Sequence, residues 1–296
     1  MLGRVILLFS TLTFLLMILG YAIGYGLGLD PISLLVLGFI LAAVINFASY
    51  FWSDRFVLWA THTKIINESD NPQLFNIVRR VALKANIPMP KVGIVQSQQA
   101  NAFATGRSTK KAIVVATTGI LRVLTPDELE AVFGHEISHV THRDVLVGSI
   151  AATVAGTISY LGTMILWSNM LGGTNRGRNG NNGYILMIIA AILIPFAAML
   201  VRLGISRSRE SDADATGARL TEKPQELINA LRKISSRANT SQWNQKNAPA
   251  PATSALWIVN PLKGSAWTEI FSDHPSLEKR IKRISKVAQE MGIWVS

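Results

Sequence analysis

His135-Glu136-Ile137-Ser138-His139 reads H-E-x-x-H. On a helix, residues four apart share a face, so the two imidazoles project together. From there they can grip one Zn2+ at about 2.0–2.1 Å. Glu136 projects beside them, where it can accept a proton from a water that the ion polarises. A catalytic zinc usually keeps three protein ligands and one open position. His142 returns to nearly the same face as His135, but about 10.5 Å of helical rise separates them. Three imidazoles on one straight helix do not converge on one ion, and HVTHRD contains no glycine to turn the chain back. The other histidines are His62 and His274, and a carboxylate is the remaining option. Arg209-Glu210-Ser211-Asp212-Ala213-Asp214 places Glu210 and Asp214 four apart. Glu210 is the best candidate for the third ligand, and one of the pair could bind metal while the other orients a ligating histidine. The same residues also suit an ordinary acidic helix start. His274, followed by Pro275, could stabilise an oxyanion at a scissile carbonyl or simply act as a cap. Arg280 is the alternative for the oxyanion, or a partner for Asp214.

These residues need elements to carry them. Thr125-Pro126-Asp127-Glu128 has a hydroxyl cap, proline at the first position and acids in the first turn, which predicts a helix start. That helix is expected to run through LEAVFGHEISHVTHRD toward a long apolar run. Pro72–Ala85 carries an apolar stripe at Leu74, Ile77, Val78, Val81 and Ala82 behind Asn71 as cap. KVGIV (Lys91–Val95) and AIVVAT (Ala112–Thr117) have strand composition. NAFATG (Asn101–Gly106) lies between them, before the basic turn RSTKK. Downstream, SRESDADATGARL leads to a second helix at Pro224–Ser235 and, after a loop rich in Asn, Ala and Pro, to a basic amphipathic stretch, SLEKRIKRISKVAQEMG. The exposed charges of that stretch suit a solvated face or a membrane surface.

The chain of 296 residues is 49% hydrophobic and only 16% charged, with no cysteine and a net charge of +11. Low charge excludes a disordered chain. Absent cysteine excludes disulfides, thiolate metal sites and a thiol nucleophile. Aromatic and basic residues do not interleave as a nucleic-acid platform requires. Instead the apolar residues gather in four runs. Val5–Leu29 and Ile32–Trp52 contain no charge but the turn between them does, Asp30. Each is long enough to cross a hydrocarbon core of about 30 Å, so they read as a transmembrane hairpin. Val145–Leu171 and Tyr184–Leu203 are the third and fourth runs, joined by the polar loop Gly172–Gly183. A buried soluble hairpin is the other reading of this second pair. The stretch 53–144 holds 11 basic and 8 acidic residues, and 204–296 holds 14 and 9. Positive-inside reasoning puts both on the cytosolic side, although Arg176 and Arg178 fall in the loop this leaves outside. The expected organisation is a hairpin over 5–52, a cytosolic part over 53–144, a second hairpin over 145–203 and a cytosolic part over 204–296. Two spans separate the HEISH helix from Glu210, which returns both to one membrane face.

The order of these pieces resembles the HtpX family of bacterial membrane-embedded zinc metalloproteases, related more distantly to CAAX prenyl-protein endoproteases. The apolar hairpin, NAFATG, TTGIL, DELEAVFGHEISHVTHRD, SRSRESDADATGA and SDHPSLEKRI carry the resemblance. It implies a zincin-like (gluzincin) fold, mainly α with a small β-sheet, built on four transmembrane helices. It implies one Zn2+ per subunit on His135, His139 and Glu210, with Glu136 as general base and Asp214 and Arg280 behind the ligands. NAFATG would be the strand beside the cleft, with Asn101, Ala102 and Phe103 meeting the substrate. It also implies a stress-response protease cleaving polypeptides, membrane proteins above all, in quality control. Such an enzyme sits multi-pass in the bacterial cytoplasmic (inner) membrane, in contact with the bilayer, its active site facing the cytosol and no nucleic acid involved. The rival reading is a non-enzymatic membrane adaptor in which zinc only ties two helices together. Glu136 argues against it, since such a site needs no base.

Overall fold

The computed structural model describes residues 2–171, 207–240 and 276–295. Two helices open the chain, α1 (Leu2–Leu27) and α2 (Pro31–Ala60), both long and apolar enough to cross a membrane. Asp30 caps α2 by accepting from the Ile32 and Ser33 N–H groups, and Pro31 fills the first helical position, where no N–H is needed. The helices pack antiparallel and close: a Cβ on Gly38 would lie 2.3 Å from the Leu16 carbonyl oxygen. Asn46 bridges them, its amide donating to the Phe9 carbonyl at 3.3 Å and reaching the Thr13 hydroxyl at 3.1 Å. α2 runs past Trp52, the expected end of the second apolar run. Its extra turns support the sheet, with Val57 and Leu58 packed on Phe103, Ile113 and Val115.

That sheet has four strands, β1 (Lys64–Ile66), β2 (Lys91–Val95), β3 (Ala102–Thr105) and β4 (Ile113–Thr117), in the order β1-β2-β4-β3. β2 and β4 are parallel and the other two pairings antiparallel, so β3 is an edge. The face opposite α2 carries Val92, Ala102, Val114 and Ala116. It meets the stripe of α3 (Pro72–Lys84) and, after the short α4 (Thr118–Val123), that of α5 (Pro126–Thr141). α5 starts at the expected cap. Thr125 and Glu128 close a reciprocal capping box, each side chain accepting the other's backbone N–H.

α5 does not continue into the third apolar run. Arg143 adopts a left-handed φ of 59°, and α6 (Asp144–Leu171) starts afresh. The break lets α6 turn onto the membrane-capable pair: Leu146, Val147, Ile150, Val154 and Ile158 pack with Val5, Leu8, Leu12 and Leu16 of α1. α6 packs on α2 as well as on α1. The loop 172–183 and the fourth apolar run lie outside the described residues. α7 (Arg207–Thr221), α8 (Pro224–Thr240) and α9 (Leu277–Glu290) follow. Leu227, Ile228 and Leu231 of α8 and Ile284 and Val287 of α9 close the core shared with α3 and α5. The described chain is mainly helical with one small mixed sheet.

Buried charge locks α5 in this frame. Glu130 is only 2% exposed. It accepts from Arg80 Nε at 3.1 Å and Nη2 at 2.8 Å, and from Lys223 Nζ at 3.0 Å. Burial pushes its carboxyl up, and the Arg80 and Lys223 cations outweigh burial and hold it below the ordinary glutamate range. The stabilisation is therefore complete above that range and is lost as pH falls through the lowered value. Glu130→Ala is expected to cost about 1–3 kcal/mol at neutral pH, the worth of hydrogen bonds to a charged group. Thermal unfolding of wild type and variant in one detergent should show a gap that closes on acidification.

Candidate metal centre

α5 and α7 run antiparallel and touch at two glycines. A Cβ on Gly217 would lie 2.6 Å from the His135 nitrogen and 2.9 Å from the Gly134 carbonyl carbon. A Cβ on Gly134 would meet the Thr221 side chain at 2.4 Å. Backbones this close bring short side chains on either side of the contact together. One turn along, His139 of α5 faces Glu210 of α7.

The three candidate donors converge there. His135 Nε2 and His139 Nε2 are 3.3 Å apart, His139 Nε2 and Glu210 Oε1 are 3.3 Å apart, and His135 Nε2 and Glu210 Oε2 are 3.6 Å apart. Tetrahedral ligands at about 2.0–2.1 Å from one ion are separated by roughly 3.4 Å. Two imidazole nitrogens and a carboxylate at those separations fit a metal ion, and the cluster is one that could hold it. Its charge fits too. Burial alone would push the His139 imidazole down, yet the carboxylates of Glu210, Glu136 and Asp214 raise its pKa above the ordinary value. The site gathers more negative charge than it neutralises.

Glu136 does not join the triad. Its Oε2 accepts from the Ala104 N–H of β3 at 3.0 Å. Burial, with Glu210 adding to it, pushes its carboxyl up against the pull of the two imidazoles. Behind His135 lies Asp214, fully buried, with Oδ1 2.9 Å from His135 Nδ1. Asp214 also accepts from Arg280 of α9, Nε at 2.8 Å and Nη2 at 2.6 Å. Burial would push Asp214 up, and Arg280 with His135 holds it below the usual carboxylate range. Of the two roles open to Arg280 in the sequence, its guanidinium thus occupies the one on Asp214.

The other expected positions fall as follows. His142 caps the C-terminal end of α5 and is exposed. Asn101 is bound into the sheet, its N–H donating to Thr117 Oγ1 and its carbonyl accepting from the Thr117 N–H. Phe103 points to the α2 side of the sheet. Since inward and outward backbone groups alternate along an antiparallel edge, the outward ones of β3 belong to Ala102 and Ala104. His274 lies outside the described residues.

Two residues at the site were not anticipated from the sequence. Asp144, the first residue of α6, puts Oδ2 3.6 Å from His139 Nδ1, and Arg209 of α7 pairs with Asp144. Each histidine thus has an aspartate beside its Nδ1 and an arginine on that aspartate. Burial, then the Arg4 guanidinium, lowers the pKa of Arg209. Asp144 follows His139 by five residues, outside helical pairing distances, and only the turn at Arg143 brings it back.

The family model described as Peptidase family M48 matches residues 68–288. The chain is 44% identical over 287 residues to the "Protease HtpX homolog" of Thermococcus kodakarensis, covering 97% of this chain and 96% of that one. It is 45% identical to the protein of that name from Pyrococcus furiosus, with the same coverage. The homologue from Syntrophobacter fumaroxidans is 41% identical, covering 95% of this chain and 97% of its own. Among solved structures, Ste24p of S. mikatae aligns with a TM-score of 0.49 at 18% identity, covering 91% of this chain and 62% of that one.

Gly217→Ala tests the helix contact. The added Cβ must push α7 away from His135, at a cost of about 1–3 kcal/mol for overpacking. Metal retained after gel filtration should drop sharply while helical circular dichroism is kept. Gly148→Ala, where a Cβ would meet no atom within 4 Å, should change neither.

Proposed function

The chain belongs to peptidase family M48, and from that membership we propose that it is a membrane-integrated zinc endopeptidase acting on polypeptides, misfolded membrane proteins among them. The observation that carries the reading is the position of Glu136: a buried carboxylate beside the His135–His139–Glu210 triad, turned instead to the edge strand β3. An adaptor tied by zinc would have no use for such a group.

His135, His139 and Glu210 would hold one Zn2+. The ion, when bound, polarises the scissile carbonyl and makes water a stronger acid. Glu136 takes the proton of the attacking water and passes it to the leaving amine. Asp214 Oδ1 lies 2.9 Å from His135 Nδ1 while His135 Nε2 faces the triad, and Arg280 pins Asp214 by two hydrogen bonds. An extended substrate would add to β3, within the Asn101–Phe103 region and its continuation, through the outward groups of Ala102 and the Ala104 carbonyl. The Ala104 N–H, now on Glu136, keeps that edge within reach of the base. His274 remains the proposed oxyanion donor.

The proposed layout is a zincin-like core on four spans. These are a hairpin over 5–52 and a second over 145–203, with cytosolic parts over 53–144 and 204–296 and the active site facing the cytosol of the cytoplasmic membrane. It is supported by the two apolar helices, by α6 packing on both of them, and by the basic excess of both polar parts.

Cleavage of an unfolded polypeptide by the purified protein, with and without chelator, is the primary test. Chelator-insensitive cleavage would remove the metal from the mechanism. Glu136→Gln should lower turnover by at least about 100-fold, the scale of lost general acid–base catalysis, and keep its zinc. Glu210→Ala should lose zinc, and His142→Ala should keep it. Zinc lost in step with activity in Glu136→Gln would make Glu136 a ligand instead.

A further inference from the structure

The turn between β3 and β4, Arg107-Ser108-Thr109-Lys110-Lys111, holds three cations in five residues and no acid. Lys110 and Lys111 are exposed and Arg107 is half-buried. Among the described residues no carboxylate pairs with any of them. The turn is attached to α2: the Arg107 guanidinium carbon lies 5.9 Å from the Phe51 ring centroid, within the range of a cation–π contact.

α2 sets the depth of that contact. A hydrocarbon core of about 30 Å takes about 20 helical residues. Counted from the polar cap Asp30, roughly twenty residues end at Tyr50 and Phe51. Aromatic side chains gather at this level, with Phe47, Tyr50, Phe51 and Trp52 all exposed. Of these, Tyr50 and Trp52 are of the types that gather at the membrane–water interface. Just beyond, Val57 and Leu58 already lie against the sheet, out of the hydrocarbon. Arg107 therefore stands at headgroup height, with both lysines beside it.

We infer that Arg107, Lys110 and Lys111 form a binding site for the headgroups of anionic phospholipids. The inference rests on the membrane-integrated reading above. The basic stripe of α9, Lys279, Lys282, Arg283 and Lys286, carries more charge, but the helices it packs on are α7 and α8. The turn belongs instead to the hairpin whose first strand meets Glu136, so a lipid held there fixes the height of that strand over the bilayer.

The test is native mass spectrometry of the full-length protein in detergent, titrated with phosphatidylglycerol or phosphatidylcholine. Wild type should retain phosphatidylglycerol in preference. Each cation near an anionic surface is worth roughly five-fold in affinity, so R107Q/K110Q/K111Q should bind phosphatidylglycerol at least about ten-fold more weakly. R107K/K110R/K111R should restore it, and K279Q/K282Q/R283Q/K286Q, which removes four charges, should leave it unchanged. Equal affinity in wild type and R107Q/K110Q/K111Q, no preference in wild type, or loss confined to the α9 variant would each overturn the site. A carbonate wash of membranes is the separate control: release of wild type from the membrane would bring down the membrane-integrated reading itself.

Discussion

The contact between Gly134 and Gly217 governs the rest of the molecule. Packed helices are ordinarily held 8–10 Å apart by their side chains. Here a single methyl group on either glycine has no room, because backbone or the Thr221 side chain already fills the space. Only at this separation can Glu210 reach both His135 and His139, and only then does Asp214 fall behind His135. The surrounding architecture maintains the contact. The core of α3, α8 and α9 presses on α5 and α7 from one side, and Glu130 and Glu128 tie α5 to Arg80, Lys223 and Lys233.

Charge is arranged around that contact in two series. Arg280–Asp214–His135 enters from the C-terminal helix and Arg209–Asp144–His139 from the first turns of α7 and α6. Isolated buried carboxylates would be costly. Each aspartate here is neutralised by an arginine from a different helix, so the helices must all be in place before the charges are tolerated. The second series also joins the centre to the membrane-capable part, since α6, which carries Asp144, packs on α1 and α2.

What the sequence made legible was local. The His135–His139 face, the Thr125 cap, the stripe of α3 and the strands KVGIV and AIVVAT depend on neighbours within a few residues, and the structure forms each of them. Spacing pairs Glu210 with Asp214 and makes Glu210 the best candidate, but the face that it turns to the histidines depends on how α7 crosses α5. The break at Arg143, the continuation of α2 past Trp52 and the three-residue β1 all serve packing partners far away in the chain, and no local pattern announces them. Asp144 and Arg209 escaped notice for the same reason: a bend and a helix crossing make them neighbours.

The order in which Asp214 and Arg280 are made bears on how the protein is born. His135, Glu136 and His139 leave the ribosome roughly 140 residues before the arginine that neutralises Asp214. At about 5–20 residues per second, that is a lag of roughly 7–28 s. In the second part of that interval Asp214 has been made but lacks its arginine, and α9 is not there to close the core. A nascent chain that has emerged only as far as α7 thus carries all three candidate donors without the arginine that holds Asp214, and the centre is assembled only once α9 has followed.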